Sequence, residues 1–369
     1  MGRAAVHELH RSGRRVLILD RDRAAARSVN ARYAEGEAEV GSADVSDAGR
    51  LARALRGAAV LVNCAPYRLN LAVMDAALAA GCHYVDLGGL FHVTRRQLRR
   101  GGEFRRAGLL AVLGMGSAPG LTNLFARAAA DTLRRVRAIR IYNGGGSGDP
   151  DPDPLAFGFS PATVLDELTE PPVVFLRGRF ATAEPLSGSE RIRFDLGTQH
   201  VHLSLHSEVA TLPVAYRGKG LRECFFKVAH DPRQLELLQG MVALGLADPR
   251  AGKHGVAPRD VLVDLLQRRA ASADGASDRD DLLVAVDGED DHGPVTVRTE
   301  MVALPQRRPP LSGVARDTGF PAAIVAGLIA DGAVTVRGVH APEGCVPVAP
   351  VMAALARRGM RPRTTRRRH

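Results

Sequence analysis

Asp20 is the first side chain whose place in the sequence suggests chemistry. It follows a short apolar run at residues 16–19 and lies 18 residues after Gly2. An acidic residue about 20 residues past the glycine fingerprint of a βαβ unit, at a strand end, takes the ribose 2′-hydroxyl of a dinucleotide. Gly2 sits where the third glycine of G-x-G-x-x-G would sit. Ala4, Ala5, Val6 and Leu9 give the next helix one apolar face, and Ser12-Gly13 stops it. Arg21 could meet a 2′-phosphate, so NADP stays open. The Asp20 carboxylate would repel that phosphate, which favours NAD. The strand and the two glycines that usually come before such a helix are absent. The expectation is a true start upstream of Met1, the alternative being a degenerate, non-catalytic relative that serves as a binding or scaffold protein.

In an open parallel sheet, ligands gather at the carboxyl ends of the strands. Asp44-Val45 falls at such an end, on the side that would hold adenine; a capped helix start is the alternative. Asn63-Cys64-Ala65-Pro66 forms a small-residue turn that lets backbone approach the nicotinamide-side ribose and phosphates, with Tyr67 and Arg68 at its mouth. Asp86 precedes Gly88-Gly89 at the next strand end. Residues 114–123 (GMGSAPGLTN) end a strand, turn, and open a helix through Thr122-Asn123. A helix N-terminus offers free N–H groups and a positive dipole to an anion; an interdomain hinge is the other reading. His200, His202 and His206 would share one strand face with Glu208, a set that could hold a metal. A solvated strand face explains them as well, and no metal is expected.

These residues need a scaffold, and the pattern supplies one. Strands at 15–20, 59–63, 83–87 and 109–113 and an extended segment at 37–44 alternate with helices at 23–32, 47–55, 71–80 and 94–107, as in a parallel α/β sheet. Residues 143–154 (NGGGSGDPDPDP) read as a mobile loop. Extended segments follow at 173–177, 191–195, 202–205, 222–229, 275–291 and 295–304, with a helix at 232–245 and another at 312–331. The fold class is α/β: a Rossmann-like domain at 1–118, truncated at its N-terminus, then an α+β substrate domain at 119–311. Residues 312–357 would return to the first domain, and 358–369 would be a disordered basic tail.

Composition limits the partners. The net charge is +10, but lysine stands only at 219, 227 and 253, so arginine supplies 47 of the 50 basic residues. Arginine is spread along the whole chain beside abundant alanine, and tryptophan is absent. Platforms for stacking bases are lacking, so no nucleic-acid partner is expected. No run approaches the ~20 apolar residues of a membrane span. Four scattered cysteines without C-x-x-C fit a cytoplasmic protein. The expected partner is a small molecule. Homodimers are common among such folds, though no interface can be read here.

Four stretches resemble the saccharopine dehydrogenase-like oxidoreductases, and within them the lysine 6-dehydrogenase-like branch: VLVNCAP (60–66), HYVDLGG (83–89), GMGSAPGLTNLFA (114–126) and SEVATLP (207–213). FSPATVLDEL (159–168) is similar to that family's entry to the substrate domain. SGVARDTGFPAA (312–323) and GVHAPE (338–343) resemble its return segment. The resemblance implies an NAD(P)-dependent enzyme of amino-acid metabolism, working on carbon–nitrogen bonds of amino acids or amines. It implies cofactor roles for Gly2, Asp20, Asp44, Cys64, Ala65, Pro66 and Asp86, joined by Arg21 and Val45 from the strand-end reading. Candidate substrate contacts are Tyr67, Gly116, Pro119, Gly120, Asn123, Ser160 and Glu208. Asp86, Tyr67 and Lys219 are the candidate acid/base groups.

Overall fold

Helices packed on short parallel strands, of which β4 and β5 are the most deeply buried, account for the first third of the chain. In the computed structural model, which describes residues 1–155, 157–252, 255–272 and 277–369, it runs α1 (Gly2–Arg11), β1 (Leu17–Asp20), α2 (Arg23–Tyr33), β2 (Glu39–Ser42), α3 (Ala48–Ala54), β3 (Val60–Asn63), α4 (Asn70–Ala80), β4 (His83–Asp86), α5 (Leu90–Leu98), α6 (Gly101–Arg106) and β5 (Leu110–Val112). The single helix expected at 94–107 is two, interrupted before Gly101-Gly102. β1 pairs in parallel with β2, and β3, β4 and β5 form a separate parallel ladder. No ladder joins β1 to β3 among the described residues. On β4, Tyr84 packs in one apolar cluster with Met74 and Phe104, while Val85 packs in another with Leu124 and Phe125. A strand apolar on both faces is what a parallel sheet between helix layers requires.

The second part begins with α7 (Leu121–Ala130) and β6 (Arg135–Ser147). It continues through α8 (Pro161–Thr169), β7 (Val173–Leu176), β8 (Arg179–Thr182), β9 (Glu190–Phe194), β10 (Gly197–Leu203), α9 (Glu208–Tyr216), β11 (Glu223–Ala229), α10 (Pro232–Ala243), α11 (Pro258–Ser272), β12 (Asp278–Asp290) and β13 (Gly293–Ala303). A mixed sheet runs β13-β12-β6-β11-β10-β9, with β7 attached to β11 and β8 to β7. β6 corrects the loop expected at 143–154: Asn143–Ser147 continue its ladder, opposite Asp278–Leu282 of β12. The glycines there allow close approach rather than a turn. A Cβ on Gly144 would come within 2.7 Å of Gln199 Oε1, and one on Gly145 within 2.7 Å of the Arg279 carbonyl. Gln199 instead lies across the strand, accepting from Gly145 N and donating to its carbonyl. Residues 275 and 276 of the strand expected at 275–291 lie outside the described residues.

The chain then returns to its beginning. α12 (Gly313–Ala330) lies against α1, and Gly319 admits the contact: a Cβ there would meet Ala4 Cβ at 2.7 Å. β14 (Gly338–His340) adds to the parallel ladder beside β5, followed by α13 (Pro342–Cys345) and α14 (Val348–Ala356). Glu8 of α1 and Arg358 form a buried ion pair across this return. The basic tail expected to be disordered is instead a strand, β15 (Arg363–Arg368), antiparallel to β13. Acidic partners offset its like charges: Arg363 bonds Asp195, and Arg366 and Arg368 bond Asp290. No described helix is long and apolar enough to cross a membrane.

Candidate functional site

The turn after β3 is made by Asn63. Its Oδ1 accepts from Ala65 N at 3.1 Å, reversing the chain through Cys64, Ala65 and Pro66. Its Nδ2 donates to Asn70 Oδ1 and Tyr84 Oη, which fixes the turn to the sheet. A Cβ on Gly2 would touch Cys64 Cβ at 3.6 Å, so α1 starts against this turn. The amides of Gly2 and Arg3 make no hydrogen bond among the described residues, whereas those of Ala4 and Ala5 bond the Met1 carbonyl. Two small residues in contact and two unused amides at a helix start fit the phosphate and ribose of a dinucleotide. Asp20, exposed at the end of β1, accepts from Asp22 N through Oδ1 at 2.9 Å, and its Oδ2 is unused among the described residues. Arg21 is exposed beside it. Asp44 caps a turn by accepting from Ser46 N and Oγ, bonds that hold its pKa below the usual value, with Val45 half-buried next to it.

Tyr67 and Arg68 reach out of this turn to α8. Tyr67 Oη donates to Asp166 Oδ2 at 2.7 Å, and Arg68 Nη2 lies 2.7 and 2.8 Å from the two carboxylate oxygens. Burial and the Asp166 carboxylate both push the Tyr67 hydroxyl well above its ordinary pKa. Tyr67 is thus a tether, held protonated, and not a free base. Ser160 opens α8 and its hydroxyl makes no capping bond.

Asp86 at the end of β4 is fully enclosed, 1% exposed. It accepts from Gly114 N (2.6 Å), Gly88 N (3.0 Å), Tyr84 Oη (2.9 Å), Gln97 Nε2 (2.6 Å) and Asn70 Nδ2 (3.2 Å). Burial pushes its pKa up and these donors pull it back. Every lone-pair direction is in use, so Asp86 ties the 88–89 and 114–123 loops to the sheet and has no position left for a substrate proton.

The 114–123 turn does not offer the expected anion site. Leu121 N donates to the Gly116 carbonyl and Thr122 N to the Ser117 carbonyl, and Leu121, Thr122 and Asn123 are buried. Gly116 N bonds the Pro119 carbonyl, and Gly120 packs so closely on Gly116 that a Cβ would lie 2.3 Å from its oxygen. Pro119 in turn lies against Gly88 and Gly114. Asn123 accepts from Gly120 N and donates to Glu343 Oε2. The turn is therefore a rigid bracket between the two halves of the chain. Lys219 stands apart as well: its Nζ donates to the carbonyls of Ala130 and Leu133 at the end of α7.

What the structure does bring to these loops is a buried acid/base cluster. β10 ends at Leu203, so His206 and Glu208 leave the face that carries His200 and His202, and the shared strand face is not formed. Glu208 opens α9, where the helix dipole favours a carboxylate. Its Oε2 takes the His206 Nδ1 and its Oε1 accepts from Thr122 Oγ1 at 2.7 Å. The imidazole stacks on Phe226, ring centres 3.7 Å apart. Ser207, between them, touches the other half: Gly89 N and Thr94 Oγ1 both donate to its Oγ. Glu167, next to Asp166 on α8, is 6% exposed, and its carboxyl makes no hydrogen bond among the described residues. Among the described residues no three His, Cys, Asp or Glu side chains form a metal-ligand group.

Glu167 carries a testable cost. Burial pushes its pKa from 4.5 up to about 7. A folded-state pKa above the unfolded value means that Glu167 is neutral for stability below pH 4.5 and penalises the fold as pH rises toward 7. The penalty is about 3 kcal/mol at full ionisation. Glu167→Gln should therefore raise the unfolding free energy by about 2–3 kcal/mol at pH 8 and change it little at pH 4. Urea denaturation at the two pH values measures this, and an equal effect at both would be inconsistent with the raised pKa.

Residues 1–112 match the family described as the saccharopine dehydrogenase NADP binding domain, and residues 116–360 that described as the saccharopine dehydrogenase C-terminal domain. Among solved structures, an apo histidine-tagged saccharopine dehydrogenase (L-Glu forming) from Saccharomyces cerevisiae is 16% identical, with 98% of each chain covered and a TM-score of 0.74. That likeness shows the fold. A probable dehydrogenase from Thermotoga maritima is 10% identical over 95% of this chain and 91% of its own, with a TM-score of 0.42.

Proposed function

Because this chain belongs to the saccharopine dehydrogenase family, we propose that it is an NAD(P)-dependent oxidoreductase acting on a carbon–nitrogen bond of an amino acid or amine, by oxidation to the imine or by the reverse reduction. The observation that carries this reading is the convergence at the carboxyl ends of β3 and β4. There the Cys64–Pro66 turn, the Gly88-Gly89 loop, α8 and the buried His206–Glu208 pair meet, with polar ties between the two halves of the chain.

A bound nicotinamide dinucleotide supplies the hydride acceptor or donor. The chain's own residues hold and orient. The free amides of Gly2 and Arg3 face phosphate, Cys64, Ala65 and Pro66 let the backbone approach the nicotinamide-side ribose, and Asp20 takes the adenosine ribose hydroxyls through its unused Oδ2. Val45 and Asp44 border the adenine. Ser160 and Tyr67 line the substrate side, and the buried 114–123 bracket, through Gly116, Pro119, Gly120 and Asn123, sets their spacing.

Calorimetric titration of NADH and NADPH into the full chain tests the reading, followed by a turnover screen with L-lysine, saccharopine, diamines and other amino acids. Failure to bind either dinucleotide would overturn it in favour of a non-catalytic binding or scaffold role. Asp20→Ala should weaken NADH about 10-fold or more, because a charge-assisted hydrogen bond is worth about 1.5–3 kcal/mol. NADPH should be weakened less, or tightened, since the carboxylate repels a 2′-phosphate. Equal losses for both cofactors would remove Asp20 from the ribose site.

A further inference from the structure

The cluster on α8 and α9 lies outside every residue that the sequence pattern offered for proton transfer, and its geometry is that of a general acid/base. His206 is fixed in two directions. Glu208 engages Nδ1, and Phe226 lies flat against the ring face, 9° from parallel. Glu208 is itself held by Thr122 of the 114–123 bracket. With Nδ1 engaged by Glu208, Nε2 is the nitrogen left to exchange a proton, and among the described residues no hydrogen bond to it is found. Both His206 and Glu167 keep 6% of their surface open, so neither is sealed off. The position is right as well. The neighbour of His206, Ser207, bonds the loop at the end of β4, and the neighbour of Glu167, Asp166, bonds the turn at the end of β3. Each member of the pair thus lies one residue along the chain from a contact to one of the two strand ends where hydride transfer is proposed.

We propose that His206 is the general acid/base of this site: its Nε2 exchanges the proton of the substrate nitrogen, Glu208 positions the ring, and Glu167 is a second carboxyl that favours an ammonium-bearing substrate. The inference rests on the oxidoreductase reading above. In the oxidative direction an N–H bond of the substrate ammonium breaks, the proton passing to Nε2 and the electron pair remaining on nitrogen. The C–H bond on the adjacent carbon then breaks, and its electron pair leaves as hydride to the oxidised dinucleotide. The nitrogen lone pair closes the C=N bond, so the substrate loses the two electrons that the dinucleotide gains.

The electrostatics agree with this geometry. Burial disfavours charge on His206, but Glu208 overrides it, with help from Glu167, and the pKa lies above 6.5. On Glu167, burial dominates, with Asp166 and Glu208 adding to it and His206 opposing. Glu343 of α13 also acts on Glu208, while Arg68 and Arg259 offset Asp166. Oxidation requires neutral His206, so its rate should rise as pH passes this pKa and flatten above it.

The test uses the full chain and the amine that the screen identifies. His206→Gln should lower kcat about 100-fold or more, leave KM within about threefold and the NADH Kd unchanged, and abolish the acid limb of the kcat profile. Glu208→Gln keeps the imidazole and should move that limb to lower pH. A readout independent of turnover is the histidine Cε1 NMR signal that His206→Gln removes, which should titrate above pH 6.5 and drop in Glu208→Gln. Near-normal kcat in His206→Gln, or a titration that Glu208→Gln leaves in place, overturns the inference while the oxidoreductase reading stands. Absence of turnover by the unsubstituted chain with every amine removes both.

Discussion

Asp86→Ala is expected to destabilise the protein by about 4 kcal/mol or more, measured by urea denaturation, since each stranded buried donor costs about 1–3 kcal/mol. Five donors lose their acceptor at once: two loop amides, one phenol and two side-chain amides. Asp86→Asn separates shape from charge. Its retained oxygen still serves Gly114 N and Gly88 N. Its new amide faces Gln97, whose buried Oε1 has no partner among the described residues and can turn to accept. Tyr84 can rotate its hydroxyl likewise. The asparagine should therefore cost about half as much as the alanine. Cofactor binding should weaken in Asp86→Ala because the 88–89 and 114–123 loops are released. An alanine variant less than about 2 kcal/mol below the native stability would contradict the role of Asp86 as a bracket.

Most parallel strands of the first third were legible because they are apolar runs bounded by turn residues, as at 59–63 and 109–113, whereas β2 (Glu39–Ser42) carries no such run; strand ends in such a sheet are predictable ligand positions. The residue types at those ends were legible too, but not which atoms remained free. Asp86, Asn123 and Lys219 have the chemistry of site residues, yet each spends its polar atoms on backbone or on buried side chains. Sequence spacing does not count hydrogen bonds. His206 was hidden for a different reason. Period-2 alternation was carried past Leu203, where the strand ends, and so it grouped His206 and Glu208 with His200 and His202. The Ser207-Glu208 pair before an apolar run is a helix-start signal, and reading it would have ended the strand and separated the two pairs. The glycine run at 144–146 and the arginines of β15 misled in the same way. Composition suggested a loop and a tail, whereas close packing by Gln199 and ion pairs to Asp290 and Asp195 decided the outcome.

The cluster around Asp166 joins three segments that are far apart in sequence, and its removal should be the second large loss. Asp166 is fully buried and takes Tyr67 Oη, Arg68 and Arg259, the last at 2.6 Å. Arg68 is half-exposed and can turn to water. Arg259, with only 11% of its side chain exposed, cannot. Asp166→Ala therefore strands a buried guanidinium, for which a loss of about 3–5 kcal/mol is expected. Arg259→Leu removes that charge but leaves Asp166 with Arg68 and Tyr67, so it should cost less. If the stranded charge is the main term, the double variant should be more stable than the sum of the single losses implies, by about 1–3 kcal/mol. Additive losses would mean that packing, not charge, sets the cost. The functional consequence follows from Tyr67. Without Asp166 the turn after β3 loses its tie to α8 while β3 stays paired to β4. NADH binding should then weaken more steeply in Asp166→Ala than in Arg259→Leu, even where both remain folded at the assay temperature.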